Sequence, residues 1–532
     1  MAKYDIIVKN GSVFDGIGVE SRKIDIAIIG DKIVDLGDFS KIDAKTVIDA
    51  TDKYVCPGFI DITNHSDTHW TLFTHPSQES LIRQGITTII GGSCGFSLAP
   101  VVGGKGIRKN DVAKININWQ TVGEFFKMLE KNKLALNFGT LVGLNTLQYD
   151  VMGESVESPD KEKLDQIKFL LNQALKDGAL GLSTNLGALQ AGSFGDSDLV
   201  ELLKVVSKNK GISKHHLEDE GKNVLPAISR IINITRKINS MFLKLPVHIS
   251  HFKILGRSSW TFFNTAIEIM RTARKEEIEL TCDVFPYDKT GDNLFALLPS
   301  WLRKMSTEDI REIVTSSENK YRQEVIAHLK SLTLHYDRII IASSLTKGSW
   351  VGKTIAEASE ASGVPPEELI LNLLSISNLN VSIFNKVISD DHIRNLIQED
   401  YCVLSSDGVG YSIEGSQSPL SSLDLPHPKS FGSFPRALKL FAKEEKIIGW
   451  GGLINRATSL PASILGIKDR GVIARKKKAD VIIFDPNYIS DYSTYENPFA
   501  FSKGVEVVVV NGHIVFFDNK LINQTAGQIL RK

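Results

Sequence analysis

Both ends of the chain carry short apolar runs of strand length that are separated by turn residues. Near the N-terminus, residues 5–8 are followed by Asn10-Gly11, and an Asn-Gly pair between apolar runs is a strong hairpin signal. Apolar runs of similar length and texture recur near the other end, at residues 479–484, 505–510 and 513–517. We therefore predict one small sheet domain built from residues 1–58 and 468–532, with two unrelated β segments as the alternative.

The middle of the chain alternates strand-like and helical patterns. The strand-like runs are residues 87–90, 137–142, 180–183, 247–250, 278–281 and 339–342. The helical patterns are residues 160–177, 196–209, 222–238 and 261–275. Repeated strand-then-helix units are typical of a parallel sheet, so we predict an α/β fold with a (β/α)8 barrel over residues 59–467.

Two features of this middle region qualify the barrel prediction. A doubly wound open sheet is the alternative, but the chain has no Gly-x-Gly-x-x-Gly nucleotide-binding loop. Residues 287–345 contain aromatic residues and a polar helical pattern with little strand character. We predict that this segment is an insertion that lies over the barrel mouth as a lid.

Length and charge narrow the classes of function. A chain of 532 residues is longer than the chains that usually fold around a single hydrophobic core, which favours a large domain with a smaller one. The 62 basic and 62 acidic residues give a formal net charge of +0. This balance provides no electrostatic basis for binding nucleic acid or an anionic membrane.

The cysteines and the N-terminal residues indicate a compartment. The four cysteines are scattered along the chain, which suits a reducing compartment better than a disulfide framework. The first apolar run contains charged residues, unlike a signal peptide, and no apolar window is long enough for a membrane helix. We therefore expect a cytoplasmic protein.

The first candidate metal ligands follow Pro57-Gly58. Side chains two apart on a strand share a face, so an extended strand would direct Asp61, Thr63 and His65 the same way. Barrel enzymes place functional groups at the carboxyl ends of their strands. A buried strand with a single His at its mouth explains the same pattern equally simply.

Four further apolar runs end in possible ligands: Cys94; His215 or His216; His248 or His251; and Asp407. His248 and His251 are three residues apart, so an extended strand directs them to opposite faces and at most one enters a shared site. Each residue alone has an ordinary structural explanation. Together, a thiolate, imidazoles and a carboxylate from different strand ends favour zinc, and their wide spacing favours a catalytic site over a zinc finger.

These residues and the motifs around them resemble the amidohydrolase superfamily, and within it the N-acyl-D-amino-acid deacylase (D-aminoacylase) family. The motifs run nearly end to end: residues 57–61, 91–100, 178–184, 216–221, 249–253, 283–287, 405–408, 425–429 and 458–462. The resemblance implies a zinc-dependent (β/α)8 barrel joined to a β-sandwich formed by both chain ends.

The resemblance also implies roles for individual residues. A tightly held zinc ion is implied at Cys94, His216 and His251. A second, weaker metal position is implied at His65 and Asp407, with Asp407 also serving as the general base and acid. The residues implied to hold the substrate's carboxylate and acyl oxygen are Lys253, Tyr287 and Lys429.

The chain departs from the family pattern at four positions. Thr63 stands where the first His of a His-x-His pair is usual, so we expect the second metal site to be weak or absent. Lys429 replaces the usual Arg, which keeps the charge but loses the bidentate fork. Glu218 stands where a basic residue is usual, and Leu144 where a His is usual.

The activity implied by the resemblance is hydrolysis of the amide bond of N-acyl amino acids, so the expected partner is a small-molecule substrate, with N-acyl-D-amino acids as the first expectation. Two alternatives remain open from the sequence. One is hydrolysis of cyclic amides or D-dipeptides, which needs the same activation of water. The other is a catalytically silent metal-binding relative, which the Thr63 replacement would explain.

Overall fold

Eight parallel strands form a barrel at the centre of the described chain. They are Phe59–Asp61, Ile86–Gly91, Asn137–Thr140 continued by Val142–Gly143, Gly181–Asn185, Ile212–His216, Val247–Ile249, Leu280–Val284 and Cys402–Leu404. The last and first strands meet through a parallel bridge between Asn64 and Gly408. The backbone N–H of Ser406 also donates to Oδ1 of Asp61 at 2.8 Å, which ties the same two strands together. The predicted (β/α)8 barrel is confirmed.

The computed structural model describes residues 3–103, 117–153, 155, 157–187, 193–303, 305–332, 334–343, 350–413 and 425–532. Within these ranges, no helix combines the length and the apolar character needed to cross a bilayer.

Helices connect successive barrel strands or follow the last of them. They are Thr71–Thr74, Glu79–Ile82, Val122–Asn132, Leu144–Met152, Lys161–Lys176, Asp196–Lys208, Val224–Asn239, Phe263–Lys275, Asp390–Gln398, Lys429–Ala437, Trp450–Ala457 and Ser459–Ile464. The four helices predicted from periodicity are confirmed, with small differences at their ends. In Lys161–Lys176, for example, Asp160 caps the first turn and the buried Ile167 and Leu171 lie one turn apart.

The barrel interior begins with an apolar layer. It is formed by Ile60, Ile62, Ile90, Leu141, Leu180, Ile212 and Val403, and is closed by Ala462 and Leu465. Toward the carboxyl ends of the strands the interior becomes polar, because Lys214, His248 and Asp283 are buried there. The polar end is the one that carries the candidate ligands.

Both chain ends form the predicted β-sandwich. One sheet contains Lys32–Gly37, Asp25–Ile29, Tyr4–Lys9 and Ala44–Asp49 in that order. The other contains Lys520–Leu521, His513–Phe517, Val505–Val510, Val481–Phe484, Tyr54–Pro57, Ser12–Val13 and Arg22–Lys23. Apolar side chains from both sheets share one core.

The strand Val481–Phe484 joins this sandwich to the barrel. Val481 and Ile483 pack in the sandwich core, whereas Ile482 and Phe484 pack in the large core that surrounds the barrel. Because side chains alternate along a strand, both faces of this strand are buried, which explains its unbroken apolar sequence.

A separate unit is inserted between the last two barrel strands. Its three-stranded antiparallel sheet has the order Lys289–Asn293, Ser382–Lys386, Ile339–Ile341. Helices of this unit are Ser300–Arg303, Thr307–Thr315, Lys320–Ser331, Ile355–Ser362 and Pro366–Ile376, and they share an apolar core of their own. The run 339–342, which the pattern grouped with the parallel strands, therefore belongs to a different sheet, so that assignment was wrong.

Candidate metal centre

Three side chains predicted as ligands come together at the carboxyl end of the barrel. Cys94, His216 and His251 each offer one ligand atom, and these atoms lie within 4.8 Å of one another. Sγ of Cys94 is 3.1 Å from Nε2 of His251. The three residues come from or follow three different barrel strands, so the fold brings together residues that are far apart in sequence.

An unusual backbone conformation presents several of these side chains. The φ angles are 52° at Cys94, 36° at His251 and 48° at Asp407, all in the left-handed region. For a residue with a Cβ atom this region costs about 1–2 kcal/mol relative to the right-handed one. Such residues cluster at functional sites, where the surrounding structure holds them in place. Three of them around one rim indicate that the backbone is shaped to present the site.

The turn that carries Cys94 depends on a glycine. A Cβ atom at Gly92 would lie 2.0 Å from the carbonyl oxygen of Leu141, and φ at Gly92 is 67°. Its backbone N–H donates to Oδ2 of the buried Asp67 at 2.6 Å. The turn is thus fixed against the neighbouring strand and against the loop that follows the first strand.

The donor set suits a zinc ion. Zn²⁺ binds thiolate and imidazole together, and three protein ligands with an open position are the usual catalytic arrangement. Nδ1 of His216 is buried and has no hydrogen-bond partner among the described residues. A buried ring nitrogen without a partner is costly unless something binds it, and a metal ion provides that partner.

The electrostatics of Cys94 agree with a thiolate. Burial opposes charge on the sulfur, but the positive charge of His251 and the neighbouring imidazoles of His216 and His65 lower the pKa of the thiol well below its usual range. The thiolate is the form of cysteine that binds metals. Cys56 differs, because burial raises the pKa of its thiol.

Glu220 lies behind the two imidazoles and was not predicted as a site residue. Its Oε1 atom is 3.3 Å from Nδ1 of His251 and 2.7 Å from Nζ of Lys253, and its Oε2 atom is 3.8 Å from Nε2 of His216. Burial opposes its charge, but Lys253 and the imidazoles of His216 and His251 keep the pKa of this carboxyl well below its usual value. Carboxylates in this position orient metal-binding imidazoles.

Asp407 lies beside the three ligands and is paired with two cationic groups. Its Oδ1 atom is 3.1 Å from Nε2 of His65, and its Oδ2 atom accepts a hydrogen bond from Nζ of Lys429 at 2.6 Å. Burial opposes ionisation, but Lys429, His251 and His65 hold the pKa of this carboxyl well below its usual range. Asp407 is therefore a carboxylate at neutral pH.

His65 connects Asp407 to the ligand cluster. Its Nε2 atom is also 4.0 Å from Sγ of Cys94. Burial alone would lower the pKa of this imidazole, but hydrogen bonds to Asp407 and Cys94 raise it to about 10. His65 thus adjoins the centre, although the three-residue ligand group does not include it.

The residues before His65 have other partners. The first barrel strand ends at Asp61, and the carboxylate of Asp61 accepts hydrogen bonds from Ser406 and Asn64. The hydroxyl of Thr63 accepts a hydrogen bond from Nζ of Lys214 at 2.6 Å. The ladder of the first strand ends at Asp61, and the chain pairs again at Asn64, which bridges Gly408, so a shared direction of Asp61, Thr63 and His65 stays a prediction.

His215 and His248 do not join the cluster. Nδ1 of His215 is 2.8 Å from Oγ1 of Thr184, on the neighbouring strand. Nε2 of His248 is 2.7 Å from Oδ1 of Asp283, and both side chains are buried. Of the two pairs that spacing left open, the fold brings His216 and His251 to the cluster and places His215 and His248 elsewhere.

The remaining predicted site residues are occupied by protein partners. Lys253 contacts Glu220, and Lys429 contacts Asp407, as described above. The hydroxyl of Tyr287 donates to the carbonyl oxygen of Pro428 at 3.3 Å.

Two of the four residues that depart from the family pattern have partners other than the candidate metal ligands. Glu218 forms an ion pair with Arg230. Leu144 is buried in the large core.

Comparison with known sequences finds full-length relatives. No family model matches the chain. An N-acyl-D-glutamate deacylase of Alcaligenes xylosoxydans xylosoxydans is 25% identical over 535 residues, which cover 100% of this chain and 97% of that protein. An N-acyl-D-aspartate deacylase of the same organism is 26% identical over 538 residues, covering 99% and 95%.

Solved structures share the fold. An N-acyl-D-glutamate deacylase from Bordetella bronchiseptica, complexed with zinc and a phosphonate inhibitor, is 24% identical and superposes with a TM-score of 0.83 over 100% of both chains. A D-aminoacylase described by its binuclear metal centre, with one-metal activation and second-metal attenuation, gives a TM-score of 0.81 at 23% identity and covers 99% of this chain and 100% of its own. The resemblance inferred from the sequence motifs is confirmed.

Proposed function

We propose that this chain, a full-length relative of the N-acyl-D-amino-acid deacylases in the amidohydrolase superfamily, is a zinc-dependent hydrolase that cleaves the linear amide bond of N-acyl-D-amino acids. The observation that carries the proposal is the convergence of Cys94, His216 and His251 beside the ionised Asp407. Three relatives that match 99% or more of the chain are an N-acyl-D-glutamate deacylase, a D-aminoacylase and an N-acyl-D-aspartate deacylase.

Cys94, His216 and His251 would hold the metal ion. When bound, Zn²⁺ supplies Lewis acidity, which activates water for attack and polarises an amide carbonyl. We propose one tightly bound ion and a second position, near His65 and Asp407, that is weak or absent. Thr63 supports this, because its hydroxyl is a poor zinc ligand and already accepts a hydrogen bond from Lys214.

Asp407 would move the proton. As a carboxylate beside the ligands, it can accept the proton of the attacking water on a side-chain oxygen and pass it to the departing nitrogen. Lys429 and His65 keep Asp407 ionised and fix its orientation, because each contacts a different carboxylate oxygen.

The substrate's carboxylate needs a cationic partner, and its acyl oxygen needs a donor. We propose Lys253 and Lys429 for the first role, because both ammonium groups lie next to site residues. Tyr287 is proposed as the donor, exchanging its hydrogen bond to Pro428 for one to the substrate. One such donor typically contributes about 3 kcal/mol to transition-state stabilisation.

A hydrolysis screen tests this function. Zinc-loaded protein is incubated with N-acetyl-D- and N-acetyl-L-amino acids carrying acidic, neutral and basic side chains, and free amine is measured. Release from the D series that is lost in Cys94→Ala supports the proposal. Turnover confined to cyclic amides or D-dipeptides would show that the same chemistry serves another substrate class. Folded, zinc-loaded protein that hydrolyses none of these amides would contradict the proposal that the protein is a hydrolase.

We also propose a cytoplasmic location. All four cysteines are unpaired thiols in the structure, which suits a reducing compartment.

A further inference from the structure

A lysine is buried inside the barrel below the ligand cluster. Lys214 is 1% exposed and lies on the strand Ile212–His216, two residues before the ligand His216. Side chains two apart on a strand share a face. Ile212, on the same face, packs in the apolar layer inside the barrel, so Lys214 lies between that layer and the ligands.

Three oxygen atoms surround the ammonium group. Nζ of Lys214 is 2.6 Å from the carbonyl oxygen of Ile62, 2.6 Å from Oγ1 of Thr63 and 3.3 Å from Oγ of Ser93. An ammonium has three donors, and each meets one of these oxygens. Thr63 precedes His65 by two residues and Ser93 directly precedes Cys94, so the contacts connect Lys214 to both loops.

Negative charge surrounds this group as well. Burial lowers the pKa of Lys214, and the charges of four acidic groups oppose that shift: Asp283, Cys94, Asp61 and Asp407. A buried cation is tolerated only where anions or hydrogen bonds compensate for its lost hydration, and Lys214 has both. The same anions would otherwise attract a cation from solution.

We propose that the ammonium of Lys214 is a built-in cation that replaces a second metal ion in this centre. The proposal rests on the proposed zinc site. Thr63 and Lys214 form one unit, in which a hydroxyl accepts a hydrogen bond from an ammonium. A divalent ion at this place would have to displace Nζ from Thr63 and approach it against like charge. Lys214 thus acts as a positioning residue, holding the loops of Cys94 and His65 while limiting the centre to one metal ion.

Metal stoichiometry tests this role without relying on activity. Full-length protein is dialysed against excess Zn²⁺, freed of loose metal and analysed for zinc per chain, and a Co²⁺ titration followed by absorbance gives an independent end point. We expect one ion per chain in the wild type and in Thr63→His. We expect two in the double variant Thr63→His/Lys214→Ser, which supplies the imidazole and removes the ammonium.

The controls separate the possible outcomes. Lys168→Met removes a lysine on the helix Lys161–Lys176 and should leave the count at one. Two ions in the wild type would overturn the role of Lys214 while leaving the deacylase proposal intact, and this measurement does not depend on any variant folding. A folded double variant that still binds one ion would also overturn it. Wild-type protein without zinc would instead reject the metal centre itself.

Discussion

Nζ of Lys429 lies 2.6 Å from Oδ2 of Asp407, so a fixed positive charge holds the proposed proton carrier in its ionised form. This relationship links the protonation state of the site to a residue from a different segment of the chain. Asp407 would transfer the proton, whereas Lys429 would only set the pKa of Asp407, so substitutions at the two residues should have different effects.

Asp407→Asn should separate catalysis from metal binding. The amide cannot accept the water proton, and general acid–base groups typically contribute 10²–10⁴-fold, so we expect kcat to fall by about that factor. Zinc content should remain near that of the wild type, because Cys94, His216 and His251 are unchanged. Wild-type turnover in this variant would exclude Asp407 as the proton carrier.

Lys429→Met should shift the pH dependence. Lys429 lowers the pKa of Asp407, so its removal raises that pKa. Since activity requires the carboxylate, the acid limb of the kcat/KM profile should move to higher pH. Lys429→Arg keeps the charge and should leave the limb near its wild-type position. An unshifted limb in the Met variant would show that Asp407 does not govern it.

Cys94→Ala should release the metal. Removing the thiolate leaves two imidazoles, so zinc per chain should fall from near one toward zero in elemental analysis. Cys56→Ala is the matched control, because Cys56 lies in the strand Tyr54–Pro57 and burial keeps its thiol protonated. Equal zinc retention in the two variants would contradict the assigned ligand set.

Glu220→Gln should weaken zinc binding although Glu220 is not a proposed ligand. Its carboxylate lies next to both imidazoles, and loss of such a partner typically costs 10–100-fold in metal affinity. Glu218→Gln changes the same functional group two residues away, where the partner is Arg230, and should leave affinity unchanged. Competition with a chromogenic chelator measures both, and equal affinities would remove Glu220 from the centre.

Gly92→Ala should destabilise the barrel. The added methyl group would meet the carbonyl oxygen of Leu141 at 2.0 Å, so overpacking of about 1–3 kcal/mol adds to the left-handed strain. Gly363→Ala has a similar φ of 68° in the left-handed region but open space around the new methyl group, so it should cost only about 1–2 kcal/mol. Urea unfolding compares them, and equal losses would show that the turn can relax.

Sequence patterns predicted the helices and strands that bury either one face or all of their side chains, because their apolar residues then form a regular or unbroken pattern. The helix Lys161–Lys176 was recognisable because its apolar residues follow the helical period. The strand Lys289–Asn293 was not, because its sequence, KTGDN, has one buried residue and no alternation of apolar side chains. The run at Ile339–Ile341 was recognised as a strand, but periodicity does not indicate which sheet a strand joins.

The candidate site shows a similar division. Strand-end positions identified Cys94 and Asp407, while the choice of His216 over His215 came from the family resemblance. Glu220 was missed, although its place four residues after His216 was a usable signal. Lys214 was missed too, because a lysine in a short strand looks like a solvent-facing residue until the barrel closes around it.

Pairing of Tyr54–Pro57 with Val481–Phe484 has a consequence for biosynthesis. The partner of a strand that directly precedes the first barrel strand is translated more than four hundred residues later. While the nascent chain is on the ribosome, the edge of Tyr54–Pro57 that pairs with Val481–Phe484 has no native neighbour, so this sheet of the sandwich cannot be completed until residue 484 has been translated. A premature stop before residue 481 would therefore leave the edge of Tyr54–Pro57 unpaired and accessible to chaperones and proteases, even though every proposed metal ligand had already been made.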